Sequence, residues 1–320
     1  MDMGVMIEGQ DGLSWDLWRR IIRATEDLGY ESLWRSDHFF PFAEPRERDA
    51  LETFISFVLV AEESSRIRFG PLVASVTFRH PSLLARMAAQ IDVLSEGRFV
   101  CGVGAGWNVP EHESFGIYFP GVGERMDRLD ESIRVMKALW ADEPATFEGK
   151  HYQLKDAICY PKPVQRPLPL LVGGGGEKRT LRIVAEHADE WNFVGGGVDT
   201  YLHKREVLEQ HCADVGRDPS QIRHSQMAGF VIGRDDAAVT AHAEEIRARN
   251  PMFGRGSTEE LLDGLKSRGG WLVGTPGEVV DEIGRRQDVG LSRINMQHHA
   301  QENFDVLELI ASEILPQVQR

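Results

Sequence analysis

Residues 170–188, LLVGGGGEKRTLRIVAEHA, decide the fold. The apolar run at Leu170–Val172 reads as a buried strand. Four consecutive glycines, Gly173, Gly174, Gly175 and Gly176, interrupt it, and the stretch beyond carries apolar residues at helical spacing. Strand, glycine turn and helix make one β/α unit. Glycine lets a tight turn aim several N–H groups at one spot, and the N-terminus of a following helix adds donors and the positive end of its dipole. The segment therefore reads as a phosphate cradle, with Arg179 and Thr180 in the first helical turn offering a charge and a hydroxyl.

The same alternation of short apolar runs and amphipathic stretches extends in both directions. Strands are expected at Gly4 to Ile7, Ser32 to Arg35, Ile67 to Val76, Phe99 to Gly104, Leu168 to Val172, Glu190 to Val194, Arg223 to Ile232 and Arg293 to Gln297. Between them, Leu17, Ile21, Ala24 and Leu28 form one apolar stripe ended by Gly29, and Leu129, Ile133, Met136 and Trp140 form another. Eight such units in 320 residues describe a single-domain α/β chain, a (β/α)8 TIM barrel spanning 1–320. Two stretches break the rhythm and read as insertions. One is 144–169, with five prolines and no helical period; the other is 250–274, glycine-rich with a short helical piece. Long barrel insertions commonly serve as lids or binding segments, and the second is expected to be mobile.

Composition narrows the partners. A net charge of −14 repels nucleic acid and anionic membranes, so any anionic ligand has to be held by a local feature. The opening MDMGVMIEGQ lacks a basic flank and a long apolar run, and no run of about 18 apolar residues occurs anywhere. The chain reads as cytoplasmic, with no membrane partner. Cys101, Cys159 and Cys212 are odd in number and widely spaced, which suggests neither disulfides nor a zinc site.

In such a barrel, chemistry sits at the C-terminal ends of the strands. After the second strand come Ser36, Asp37 and His38, followed by Phe39, Phe40 and Phe42. A histidine beside an acid suits proton donation or a hydrogen bond to a ring, while the bland reading is a helix-capping Asp next to an ordinary His. After the third strand stand Ser75, Val76 and Thr77, then Arg79, His80 and the helix-starting Pro81. After the fourth, Gly106, Trp107 and Asn108 precede Glu111, His112 and Glu113. That acidic trio has no companion at ligand spacing and HExxH is absent, so no metal is expected. GxSxG and GxxxxGK[ST] are also absent, and GVGAGW fails the dinucleotide fingerprint at its sixth position.

SDHF at 36–39, VTFRHP at 76–81, LSEGRFVCGVGAGWN at 94–108, TFEGKHYQL at 146–154, PKPVQRPLPLLVGGGGEKRTL at 161–181 and ADEWN at 188–192 together resemble the bacterial luciferase-like superfamily. The likeness is strongest to its deazaflavin F420-dependent oxidoreductase branch, with FMN-dependent monooxygenases as near relatives. It implies a flavin or deazaflavin ring in the barrel mouth and its phosphate on the turn after the fifth strand. It also implies Asp37 and His38 near the reactive edge, a non-prolyl cis peptide matched to Ser75 and Val76 with Thr77 next, and Gly106 and Asn108 approaching the cofactor. F420-dependent glucose-6-phosphate dehydrogenases carry Trp where Phe42 stands and Glu where Trp107 stands, which argues against sugar-phosphate oxidation here. The expectation is hydride transfer between coenzyme F420 and a small organic substrate. His38 would be the proton partner, Phe39, Phe40, Phe42 and Trp107 an apolar pocket, and 250–274 a cover. The alternatives are an FMN-dependent monooxygenase fed by a partner flavin reductase and a non-catalytic flavin-binding protein. Relatives are commonly homodimers, and one is expected.

Overall fold

The parallel ladder that the sequence implies is present in the computed structural model, which describes residues 1–141, 144–250, 253–254 and 256–319. In chain order the strands are β1 (Asp2–Ile7), β2 (Ser32–Arg35), β3 (Arg68–Pro71), β4 (Ala74–Ser75), β5 (Cys101–Gly104), β6 (Ala145–Glu148), β7 (Gln153–Ala157), β8 (Leu170–Gly173), β9 (Glu190–Val194), β10 (Arg223–Ile232), β11 (Trp271–Gly274) and β12 (Arg293–Gln297). The main sheet runs β3-β2-β1-β12-β10-β9-β8-β5-β4 with parallel neighbours. A bridge between Phe69 and Phe99 joins β3 to the chain entering β5 and closes the sheet into a barrel.

The helices lie outside and bury one face each. The helix Trp15–Asp27, capped by the Ser14 hydroxyl, buries Leu17, Trp18, Ile21, Ile22 and Thr25. The stripe is therefore rotated from the expected one, because the Trp18 indole takes the central place and donates to the Ser56 carbonyl at 3.0 Å. Gly29, at φ +86°, ends the turn as the sequence suggests. In the helix Val122–Trp140, Leu129, Ile133 and Met136 are buried, and the Trp140 indole reaches the Ala85 carbonyl. Among the described residues no helix is long and apolar enough to cross a membrane.

Three expectations change. The third strand does not run unbroken from Ile67 to Val76: β3 and β4 are separated by Leu72 and Val73, and the peptide bond between these two is cis. The cis bond thus falls three residues before the Ser75–Val76 pair that the resemblance suggested. Leu72 N–H still reaches the Arg35 carbonyl on β2, and Val76 N–H the Gly104 carbonyl on β5, so the interruption is pinned on both sides. The segment 144–169 holds the antiparallel hairpin β6–β7. Its turn is fastened to the helix Val122–Trp140 by Glu131, whose carboxylate accepts from the amides of Lys150, His151 and Tyr152. Among its described residues, the segment 250–274 holds the expected helical piece and also a strand not expected from the sequence. It contains the helix Thr258–Arg268, begun by a capping box at Ser257 and Glu260, and then β11, which extends the main sheet beside the C-terminal half of β10.

Candidate active site

At the C-terminal end of the barrel lies a cavity of about 500 Å³, within the range of small-molecule and cofactor sites. Of the residues singled out from sequence, Asp37, His38, Phe42, Ser75, Gly106, Trp107, Asn108, Gly173, Gly174 and Thr180 line it. A larger open groove of about 890 Å³ runs over the outer helices near His242 and Asn303, and none of those residues reaches it.

The remaining expected residues stand back from the cavity, each for a visible reason. Val76 is buried in the core. Thr77 spends its hydroxyl on Ser75 and His112. Phe39 and Phe40 turn outward to pack on Phe115, with Phe39 also against Phe78. Arg179 binds Asp127 at 2.6 Å on the neighbouring helix. Gly175 and Gly176 lie beyond the rim, because Glu177, Lys178 and Arg179 intervene before the helix Thr180–His187 begins. The glycines therefore do not run straight into that helix. Nor does any described residue of 144–169 or 250–274 line the cavity.

His38 sits where β2 ends. Its Nδ1 lies 2.8 Å from Glu111 Oε2, and because a carboxylate only accepts, Nδ1 carries the hydrogen. Glu111 Oε1 accepts from the Phe39 amide at 2.6 Å. His38 Nε2 meets no hydrogen-bond partner among the described residues, so it is the nitrogen left for a ligand. Burial works against charge on this ring, but the hydrogen bond and charge of Glu111, joined by Glu8 and Asp37, outweigh it and hold its pKa above the ordinary value. The ring meets Phe42 at 4.7 Å and Trp107 at 5.6 Å, both edge-on, so one side of His38 is apolar.

Asp37 turns the other way. Arg79 grips it with two hydrogen bonds, 2.6 and 2.9 Å, and also reaches Glu52. Asp37 Oδ2 accepts from the Ser75 amide at 3.1 Å, which ties β4 to the end of β2. From Ser75 a chain of hydrogen bonds runs through Thr77 (2.6 Å) to His112 Nε2 (2.7 Å), and His112 Nδ1 donates to the Asn108 carbonyl at 2.6 Å. Gly106 makes this packing possible: at φ +74°, a Cβ there would lie 2.4 Å from Ser75 Oγ.

At the glycine turn, Gly174 is held by β9, its amide donating to the Asn192 carbonyl and its own carbonyl accepting from the Trp191 indole. The amides of Gly175 and Gly176 make no hydrogen bond to described residues. Lys204, which the sequence reading passed over, stands beside the turn and pairs with Glu177 at 2.6 Å. Several residues that do line the cavity also escape the sequence reading: Glu8 just after β1, Leu72 and Val73 at the cis bond, Asn192 on β9 and Gln297 on β12. Glu8 and Gln297 follow or end strands, so the rule applied to the second to fifth strands would have found them. Asn192 is buried beside the cavity, its side-chain amide donating to Ser225 Oγ at 3.0 Å. A mostly apolar slot with the Leu72–Val73 backbone in its wall and the free amides of the glycine turn beside one end fits a planar ring joined to a phosphate. Among the described residues no Lys or Arg lines the cavity.

Residues 3–293 match the family model described as luciferase-like monooxygenase. A curated relative from Kineococcus radiotolerans, an F420-dependent glucose-6-phosphate dehydrogenase, is 38% identical over 91% of this chain and 89% of its own length. A relative of the same name from Amycolatopsis mediterranei is 30% identical over 95% of this chain and 94% of its own. Among solved structures, an F420-dependent secondary alcohol dehydrogenase in complex with an F420-acetone adduct superposes with a TM-score of 0.84 at 22% identity, covering 100% of this chain and 99% of its own.

Proposed function

The chain belongs to the luciferase-like monooxygenase family and is an F420-dependent oxidoreductase, and we propose that it passes a hydride between the deazaflavin and a small, largely apolar alcohol or carbonyl compound, with His38 moving the proton. The observation that carries this reading is the His38–Glu111 pair facing an apolar wall of Phe42 and Trp107. The sugar phosphate in the relatives' names does not transfer readily. A phosphorylated substrate calls for a cation in the pocket, and among the described residues Glu8 and Asp37 are the only Asp, Glu, Lys or Arg lining it.

Coenzyme F420, when bound, supplies the hydride acceptor or donor, and the residues around it supply position and proton handling. Ser75, Asn108 and Asn192 would meet the ring, and the turn at Gly174–Gly176 with Thr180 and Lys204 its phosphate. An alcohol giving up a hydride from its carbinol carbon must also lose its hydroxyl proton, and neutral His38 takes that proton on Nε2. In reduction the imidazolium returns it to the carbonyl oxygen. The pH dependence follows in sign. Oxidation rises as pH climbs through the raised pKa of His38, and reduction falls over the same interval.

The test is turnover of secondary alcohols and ketones followed by the absorbance of F420. His38→Ala is expected to lower kcat by about 10²–10⁴ while leaving F420 affinity nearly unchanged. Unimpaired turnover in that variant would remove His38 from the reaction. Tight FMN binding with no detectable F420 binding would overturn the cofactor.

A further inference from the structure

The short helix Val109–Phe115 carries more buried polar chemistry than its seven residues need for folding. Glu111 and His112 are 0% and 1% exposed, and a buried carboxylate and imidazole are costly unless every polar atom is used. Two of their partners, His38 and Asn108, line the cavity. Glu111 takes the Nδ1–H of His38 and the amide of Phe39, from a loop 73 and 72 residues earlier in the chain. His112 joins the Ser75–Thr77 hydroxyl chain to the carbonyl of Asn108. One helical turn thus grips β2's end through one side chain and β4's end through the next.

We propose that Glu111 is the positioning residue of His38: it fixes the imidazole's neutral tautomer so that the Nε2 lone pair faces the cavity, while His112 braces the same turn against Ser75. The inference rests on the preceding reading of His38 as proton carrier. Because both Glu111 oxygens accept from N–H groups, glutamine can serve only one of them, and its amide would confront the other donor. The other charges that face His38 are Glu8 at the end of β1, the adjacent Asp37, whose charge Arg79 balances, and Asp11 in the loop beyond β1. Of these, Glu111 is the one that hydrogen-bonds the ring.

Nitrogen-15 imidazole NMR on the full chain tests the inference without cofactor, with His38 assigned through His38→Gln. In the wild type, the neutral ring is expected to carry its hydrogen on Nδ1 and to titrate above the ordinary value of about 6.5. In Glu111→Gln the midpoint is expected to fall below that value, since burial is then unopposed by the carboxylate. With F420 and substrate, the pH limb reporting His38 moves with it, kcat falls about tenfold to hundredfold, and KM stays within about threefold. A wild-type ring with its hydrogen on Nε2 would overturn the inference even if Glu111→Gln failed to fold. So would an unchanged midpoint in a folded Glu111→Gln. Full activity of His38→Ala would instead sink the reading of His38 itself, and the titration would still report whether Glu111 governs the ring.

Discussion

The barrel holds an arginine between two carboxylates at each end, and the two arrangements differ in burial and in what else they hold. At the floor, Arg293 at the start of β12 binds Glu31 before β2 and Glu190 at the start of β9. At the mouth, Arg79 binds Asp37 after β2 and Glu52. The floor arginine is 1% exposed and its partners 23% and 8%, and its bonds tie strands to strands. The mouth arginine is 14% exposed, and Glu52 is 40% exposed. Asp37 alone is sealed there, and its spare bonding capacity goes to the amide of Ser75 on the cavity wall. The first set ties strand ends together at the floor; the second reaches the cavity wall through Ser75.

The floor gives the largest expected effect. Arg293→Ala leaves two carboxylates without their cation in a closed space, a loss of about 3–5 kcal/mol for a broken buried pair. Urea denaturation measures it, and the molecules still folded should keep wild-type kcat. The pH dependence adds a check on sign. Burial raises the Glu31 pKa, but Arg293 overcomes this and holds it below the ordinary value, so the stability it lends is present at neutral pH and lost as pH falls through that lowered pKa. In the variant, that acid-side loss should shrink. A drop in kcat without a drop in stability would erase the distinction between the two ends.

At the mouth the expected cost in stability is smaller and the cost in function larger. Arg79→Ala strands Asp37, but water reaches Glu52 and Arg35 lies near, so about 2 kcal/mol is expected, below the range for a fully buried pair. The Ser75 amide then hangs on a carboxylate free to turn, and F420 affinity should weaken about tenfold in calorimetric titration, near 1.4 kcal/mol. Unchanged affinity would mean that the β4 end is held by β5 alone.

What the sequence made legible follows the same division. The bounds of β2, β9, β10 and β12 match expectation to the residue, each an apolar core with polar residues at one or both ends. β11 was missed: a four-residue run between glycines, paired only with the far half of β10, has no period of its own to reveal it. The cis bond fell at Leu72–Val73, a pair whose side chains carry no signal for it, since its place is set by contacts with β2 and β5. Glu111 was visible as a polar residue but not as a partner of His38, because the pairing spans 73 positions and exists only once the barrel closes. Arg179 looked right by proximity to the glycines and was drawn off by Asp127.

The smallest effect bears on the glycine turn itself, where function and folding are most cleanly separable. Gly174 sits at φ +123°, so Gly174→Ala strains the backbone and costs about 1 kcal/mol or more whether or not a phosphate binds. Gly175 is different: a Cβ there meets nothing nearer than the Lys204 stem at 3.9 Å, and its amide has no partner among the described residues. Gly175→Ala should therefore leave stability within about ±0.5 kcal/mol. If the turn grips the cofactor's phosphate, the added methyl crowds the approach to that free amide, and F420 affinity falls about threefold to tenfold, up to the 1.4 kcal/mol of a tenfold change. Wild-type affinity in Gly175→Ala would reduce the four glycines to a strand-to-helix connector and shift the grip to Thr180 and Lys204, side chains that alanine variants can then examine singly.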